Sequence, residues 1–294
     1  MATESSGEAG GSVVPLPHAV SAAKHPVTAV QERLNADVLL YNGPIDYDSF
    51  FDLLDFSKAS KRRTNVLFVL STGGGDADAA YRIARCLKAR YEKLTVLIAG
   101  LCKSAGTLVA LAADEIIMTE SGELGPLDIQ LRKHDEIVEF GSGLDVTTAL
   151  DLLHQKSLAT FRGYMLDLCL GARISAKTAA DIAAQLTVGL FGKLYEQVDP
   201  VRLAEAMRAT TIAMHYGQAL SSNLAPEGLS KLVHSYPSHS YVIDFEEAKK
   251  IFKSVREPTD IEEEMLMAIP KESDPRMPRD NGTRIVCLNP PVEA

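Results

Sequence analysis

Apolar and polar positions along this chain follow two different periods, and the switches between them lay out its elements. The runs DVLLYN (37–42), VLFVL (66–70), LTVLIA (94–99) and IIM (116–118) are almost continuously apolar and bounded by turn signals, the pattern of strands buried on both faces of a parallel sheet. Between them the period becomes helical. Phe50, Phe51, Leu53 and Leu54 follow a capping Asp46 or Asp48. Ala80, Ile83, Ala84 and Leu87 form one stripe behind Asp76 or Asp78, while Arg82, Arg85 and Lys88 point away. Residues 105–113, nearly all small or apolar, predict the next helix. Repeated strand–helix–strand units of this length imply an α/β fold, a mostly parallel sheet joined by right-handed crossovers.

After a further strand predicted at 137–141 the pattern turns helical. Helices are predicted over 147–170, 175–190 (capped by Ser175), 199–220 and 225–233, followed by a short strand at 241–243 and a helix from Glu246. Residues 1–30 are rich in Ser, Gly, Ala and Pro without a period and read as a disordered tail. From 257 the chain carries prolines and acids and reads as a loose tail or an oligomer arm. The expected plan is therefore a tail at 1–30, one folded domain at 31–256, and a tail or arm at 257–294.

Composition narrows the class. With 30 basic and 39 acidic residues the net charge is −9, which argues against non-specific nucleic-acid binding and leaves the substrate open. Cys86, Cys102, Cys169 and Cys287 are scattered with no CxxC pair, so buried free thiols are expected, without a metal site and in a reducing cytoplasm. Cys102 ends an apolar strand and reads as structural. The first twenty residues lack the basic cluster and apolar core of a signal peptide. The longest apolar candidate, 94–118, is interrupted by Lys103, Asp114 and Glu115, so no membrane insertion is expected.

The chemistry centres on two turns after consecutive strands. Gly73-Gly74-Gly75 exposes backbone amides after the second strand, and its spacing fits neither GxGxxG nor a Walker loop. Ser104 in Lys-Ser-Ala-Gly opens a helix after the third, where amides and the helix dipole favour negative charge. Side by side at the carboxyl edge of a parallel sheet, the two turns meet the needs of acyl transfer: a hydroxyl and oxyanion donors. Ser104 as a plain N-cap is the competing reading.

The combination resembles the Clp protease/crotonase superfamily, and within it the serine dehydrogenase proteinase family, relatives of signal peptide peptidase A. The resemblance rests on STGGGDADAAYRIA (71–84), KSAGTL (103–108), ADEI (113–116), GELGPLDIQ (122–130) and YPSHSYVID (236–244). It implies a Clp-like fold with a helical C-terminal segment, Ser104 as nucleophile, and an oxyanion hole from the amides of Gly74 and Ala105, with Gly73 or Gly75 as alternatives. It also implies homo-oligomers, as rings or stacked trimers, acting on peptide or protein substrates. No cofactor is implied.

The base is less plainly marked. Signal peptide peptidase A enzymes use a lysine forty to fifty residues after the serine, and Lys156 falls 52 positions on. Its helical neighbours Leu152, Leu153, Ala159, Thr160 and Gly163 form a small, apolar face that would desolvate the amine and lower its pKa. A lysine with a wet head and a covered stem is the alternative. His154 is the runner-up base, His134 reads as loop surface, and Lys103 is expected to face substrate or solvent. His239 has no assigned role. The expected function is a soluble Ser–Lys peptidase. A crotonase-type acyl-CoA enzyme and a catalytically inactive assembly module are the alternatives.

Overall fold

The computed structural model describes residues 25–127, 130–132, 140–277, 279 and 282–288. It divides into two compact units, Met1–Leu127 with Ala213–Ala294, and Asp128–Ile212. The first opens with α1 (Pro26–Leu34), β1 (Ala36–Asn42), α2 (Tyr47–Ser60), β2 (Asn65–Ser71), α3 (Ala77–Arg90) and β3 (Leu94–Ile98). There follow the two-residue β4 (Leu101–Cys102), α4 (Ala105–Ala110), β5 (Glu115–Met118) and β6 (Glu123–Leu124). Proline at the first helical position of α1 costs no hydrogen bond, so the helix starts at Pro26, inside the stretch read as tail. Asp46 and Asp76 cap α2 and α3 through the amides of Ser49 and Ala79.

The second unit contains an antiparallel pair, β7 (Gln130–Arg132) and β8 (Phe140–Ser142), then α5 (Gly143–Leu166), a five-residue π-helical turn at Asp167–Gly171, α6 (Ala176–Tyr195) and the first part of α7 (Pro200–Leu220). The strand expected at 137–141 and His134 fall mostly or wholly outside the described residues. Helices α5 and α6 pack on each other, yet only Ala179 and Ala183 of α6 are buried. The stretch expected as one domain is thus interrupted by a helical unit of its own.

The chain then completes the first unit with α8 (Gly228–His234), α9 (Phe245–Ile251), β9 (Val255–Arg256), α10 (Asp260–Met267) and β10 (Arg284–Cys287). Its sheet has the order β10-β1-β2-β3-β5-β9, parallel throughout except for β10. Strand side chains alternate between two cores. Leu39, Tyr41, Phe68, Leu70, Val96 and Ile98 meet α2, α3 and α4 on one face, and Val38, Leu40, Leu67, Val69 and Leu97 meet α1 and α10 on the other. Burial on both faces is why these strands are continuously apolar. The result is the mostly parallel α/β architecture expected from the sequence.

Two expectations need correction. The described residues between 258 and 288 are not a loose tail: Met265 and Leu266 of α10 are buried in the second core, and β10 pairs along β1 from Leu39↔Cys287 to Asn42↔Arg284. The acids that suggested a tail sit in the first turn of α10, where the dipole favours them, and Glu262 there closes a capping box with Thr259. The strand expected at 241–243 is a single antiparallel bridge between Ile243 and Leu124.

Arg256 ties this end of the chain to the sheet. It meets Glu262 through two bonds of 2.7 and 2.8 Å and Glu115 of β5 at 2.9 Å. Burial alone would raise the Glu262 carboxyl, which is 1% exposed, but the Arg256 and Thr259 hydrogen bonds outweigh it and hold the group below its ordinary 4.5. A depressed carboxyl stabilises the fold above pH 4.5 and loses that contribution as pH falls through its folded value. Glu262→Ala is expected to cost about 1–2 kcal/mol at neutral pH, because the half-buried Arg256 loses two charge-assisted bonds while keeping Glu115, and the Thr259 cap is lost. Urea titrations should find the gap from wild type narrowing in acid, and an unchanged midpoint at neutral pH would refute the role.

Candidate active site

The two turns singled out by sequence are joined by backbone bonds. Beyond β2 the chain continues alongside β4: the Thr72 amide donates to Leu101 O at 2.8 Å, and the Lys103 amide donates back to Thr72 O at 3.0 Å. This parallel bridge between Thr72 and Cys102 sets the glycine turn against Ser104. A methyl group on Gly74, whose φ is +117°, would stand 3.0 Å from Ser104 Cβ and 3.6 Å from its Oγ. One on Gly106 would meet Thr72 Cγ2 at 2.4 Å. Both glycines are there because the turns approach too closely for a side chain.

Ser104 has φ 49° and ψ −112°, and the Gly106 amide bonds to Lys103 O at 2.8 Å. These are the angles of the second position of a type II′ turn, a place for glycine. A serine there costs of order 1–3 kcal/mol. Its hydroxyl makes no capping bond to α4, and the residue is half-buried. The N-cap reading therefore fails on geometry: a capping serine has extended angles and accepts from the second or third amide of its helix. Ser104 is thus a strained serine between strand and helix whose hydroxyl does not cap the helix it precedes.

The amides expected to act as oxyanion donors differ in their availability. Ala105, as first residue of α4, has no intrahelical acceptor for its amide. The Gly74 amide, in contrast, donates to Thr72 Oγ1 at 3.0 Å. On the far edge of the same turn Ile45 bonds to Gly74 O and Asp76 N, which leaves the amide of Gly75 directed away from Ile45. Thr72 was not singled out in the sequence, although a threonine closing a strand just before a glycine run is a recognisable signal for such a bond.

Lys103 is turned inward, away from solvent. It is 8% exposed, and its ammonium donates to Leu124 O and Tyr241 O, each at 3.1 Å, and pairs with Glu123 at 3.1 Å. A methyl on Gly125 would meet Lys103 Cδ at 2.7 Å, so that glycine makes room for the lysine stem. Beside it the buried Thr107 hydroxyl reaches Gly125 O at 2.8 Å. Three segments quoted for the resemblance, 103–108, 122–127 and 236–244, thus converge on one ammonium. Glu123, Thr107 and Gly125 were missed as individual residues, because their pairing depends on contacts across this loop cluster.

The other candidates are placed as follows. Cys102 is fully buried, and burial pushes its thiol up, which makes it inert. Asp114 is structural, bonded to Lys88 and the Leu94 amide. His239 is half-buried in the 236–244 segment. Lys156 and His154 lie on α5 of the helical unit, where both are exposed; within that unit the expected desolvation of Lys156 is absent. Among the described residues no cluster of metal-ligating side chains occurs, and no helix is long and apolar enough to cross a membrane.

Fold and turns define a Clp-like α/β chain built around a strained serine at a glycine-lined edge. The family model for ClpP-like SDH-type serine proteinases matches residues 51–203, just over half of the chain, and the chain belongs to that family. Two uncharacterized proteins of Methanocaldococcus jannaschii are similar to it. One is 39% identical over 83 residues, covering 28% of this chain and 29% of its own length. The other is 34% identical over 128 residues, covering 41% and 44%. The chain thus spans less than half the length of these curated relatives. Two solved structures of a membrane-bound stomatin-specific protease, one with a substrate peptide, align at TM-scores of 0.30 and 0.29. Their identities are 17% and 19%, over 49% of this chain and 67% and 63% of theirs.

The buried ammonium gives a direct test of how the turn is held. Lys103→Met is expected to lower stability by about 3 kcal/mol, because Glu123 and two carbonyls lose their shared partner. Chemical denaturation measures it. A variant as stable as the wild type would mean that the network is dispensable.

Proposed function

We propose that this protein is a serine peptidase in which Ser104 is the nucleophile. The observation that carries the reading is the strained type II′ geometry of Ser104 with its hydroxyl unused by the helix it precedes. In the reaction, Ser104 Oγ attacks a peptide carbonyl carbon while its proton passes to a base. The oxyanion is met by the Ala105 amide and one from the glycine turn. Gly74 lies against Ser104 and is the first candidate, its amide bonded to Thr72 Oγ1 in this structure, and Gly73 or Gly75 is the alternative. Collapse breaks the C–N bond as the base returns the proton to the leaving amine, and water then releases the acyl group by the same steps.

Lys156 is proposed as the base, with His154 as runner-up. Lys156 is exposed within its own unit, so this role calls for a partner surface packed over it in the assembled enzyme. Assembly is supported by the helical unit, where Leu152, Leu166, Leu170, Val188, Leu190 and Val201 are all more than half exposed. We assign this surface to contacts between copies of the chain, in rings or trimer-based assemblies. The four free cysteines suit a reducing compartment such as the cytoplasm. The exposure of Lys156 favours one other reading, a non-catalytic assembly module of the same fold.

Labelling with a fluorophosphonate separates the two. Wild type should label at one serine. Ser104→Ala should abolish labelling without changing sedimentation, and Lys156→Ala should slow it by at least about a hundredfold. Labelling that survives Ser104→Ala removes the nucleophile assignment; a Lys156→Ala variant that labels normally moves the base elsewhere. Wild type that never labels in its assembled form supports the module.

A further inference from the structure

Away from the serine, α2, α3 and the last turns of α7 enclose an open groove of about 530 Å³. Arg82, Arg85 and Arg90 line it. None forms an ion pair with a carboxylate among the described residues. Arg82 lies over the rings of Tyr47 and Phe50 at 5.5 and 6.0 Å, and Arg85 over Tyr81 at 5.7 Å. Arg90 donates to two neutral groups, Ser57 Oγ and, at 2.7 Å, Cys86 Sγ. The groove's own carboxylate, Asp78, accepts from Tyr216 OH at 2.6 Å. Tyr216 stacks on Tyr81, centroids 4.2 Å apart and planes 9° apart. A chain of net charge −9 therefore keeps three arginines around an aromatic wall with no carboxylate ion-paired to them among the described residues.

We propose that this groove docks an acidic, extended polypeptide segment. The three guanidinium groups are strung along α3 rather than converging on a point; Arg82 and Arg90 are about 12 Å apart along the axis at 1.5 Å per residue. A phosphate group calls for converging donors and backbone amides, whereas an extended peptide of about four residues covers that span at about 3.3 Å each. Arginine presents a planar fork suited to carboxylates, and the stacked tyrosines offer a flat surface to the stem between them. On a chain of net charge −9, a cluster of three arginines without a carboxylate partner among the described residues favours an acidic partner at this face. The proposal concerns binding alone and stands whether or not Ser104 is catalytic.

Two measurements on the full assembled chain test it. A fluorescein-labelled peptide rich in Glu with interspersed Tyr should bind by anisotropy, more weakly as salt rises, while its Lys counterpart should not. Arg82→Glu with Arg85→Glu, both exposed positions, should weaken binding by at least about tenfold. In the unmodified chain, saturating acidic peptide should slow alkylation of the groove-lining Cys86 several-fold, read by mass spectrometry, and leave Cys169 unchanged. Equal binding of the Lys peptide, or no protection of Cys86, overturns the proposal. Inorganic tripolyphosphate protecting Cys86 where the peptide does not would make the groove a phosphate site instead. Loss of oligomer size in the double variant would mean that a second copy covers it.

Discussion

Two backbone hydrogen bonds, Thr72 N to Leu101 O and Lys103 N to Thr72 O, hold the site together. They make the chain beyond β2 leave its neighbours in the main sheet and run beside β4. Without them the glycine turn and the serine turn would be two unrelated loops at one sheet edge. With them, Gly74 and Gly106 come so near to Ser104 and Thr72 that side chains are excluded. The bonds lie at the carboxyl edge of a sheet whose strands are buried on both faces, so the edge they organise is rigid.

A serine at φ 49° is unfavourable, and the surrounding contacts have to outweigh it. They are concentrated in the residue before it. The Lys103 ammonium satisfies two carbonyls and a carboxylate from two distant segments, and the space for its stem comes from Gly125. Thr107, one turn into α4, bonds to the same Gly125. The strained residue is thereby flanked by buried, satisfied polar groups that fix its backbone from both sides. Strain held in this way is characteristic of sites where a side chain must be presented rather than packed.

The helical unit obeys a different balance. Its helices carry leucines and valines that the unit itself leaves exposed, and its candidate base shares that exposure. Periodicity alone made Lys156 look desolvated because its helical neighbours are small or apolar. An apolar face desolvates a residue only when something packs on it.

The sequence by itself determined the strands, the helices between them and the identity of the two candidate turns, since these follow from continuous apolar runs, caps and glycines that act over a few residues. It also carried the segments of the family resemblance. Tertiary structure alone decided that the serine hydroxyl is not a cap, that Lys103 turns inward, that Thr72 occupies the Gly74 amide, and that the residues after 257 complete the sheet. Each of these depends on partners not fixed by local pattern, some more than a hundred residues apart: Lys103 with Tyr241, Leu39 with Cys287. The charge beside Ser104 read as surface because charged residues are seldom buried, and only the two carbonyls and the carboxylate that meet it made burial affordable.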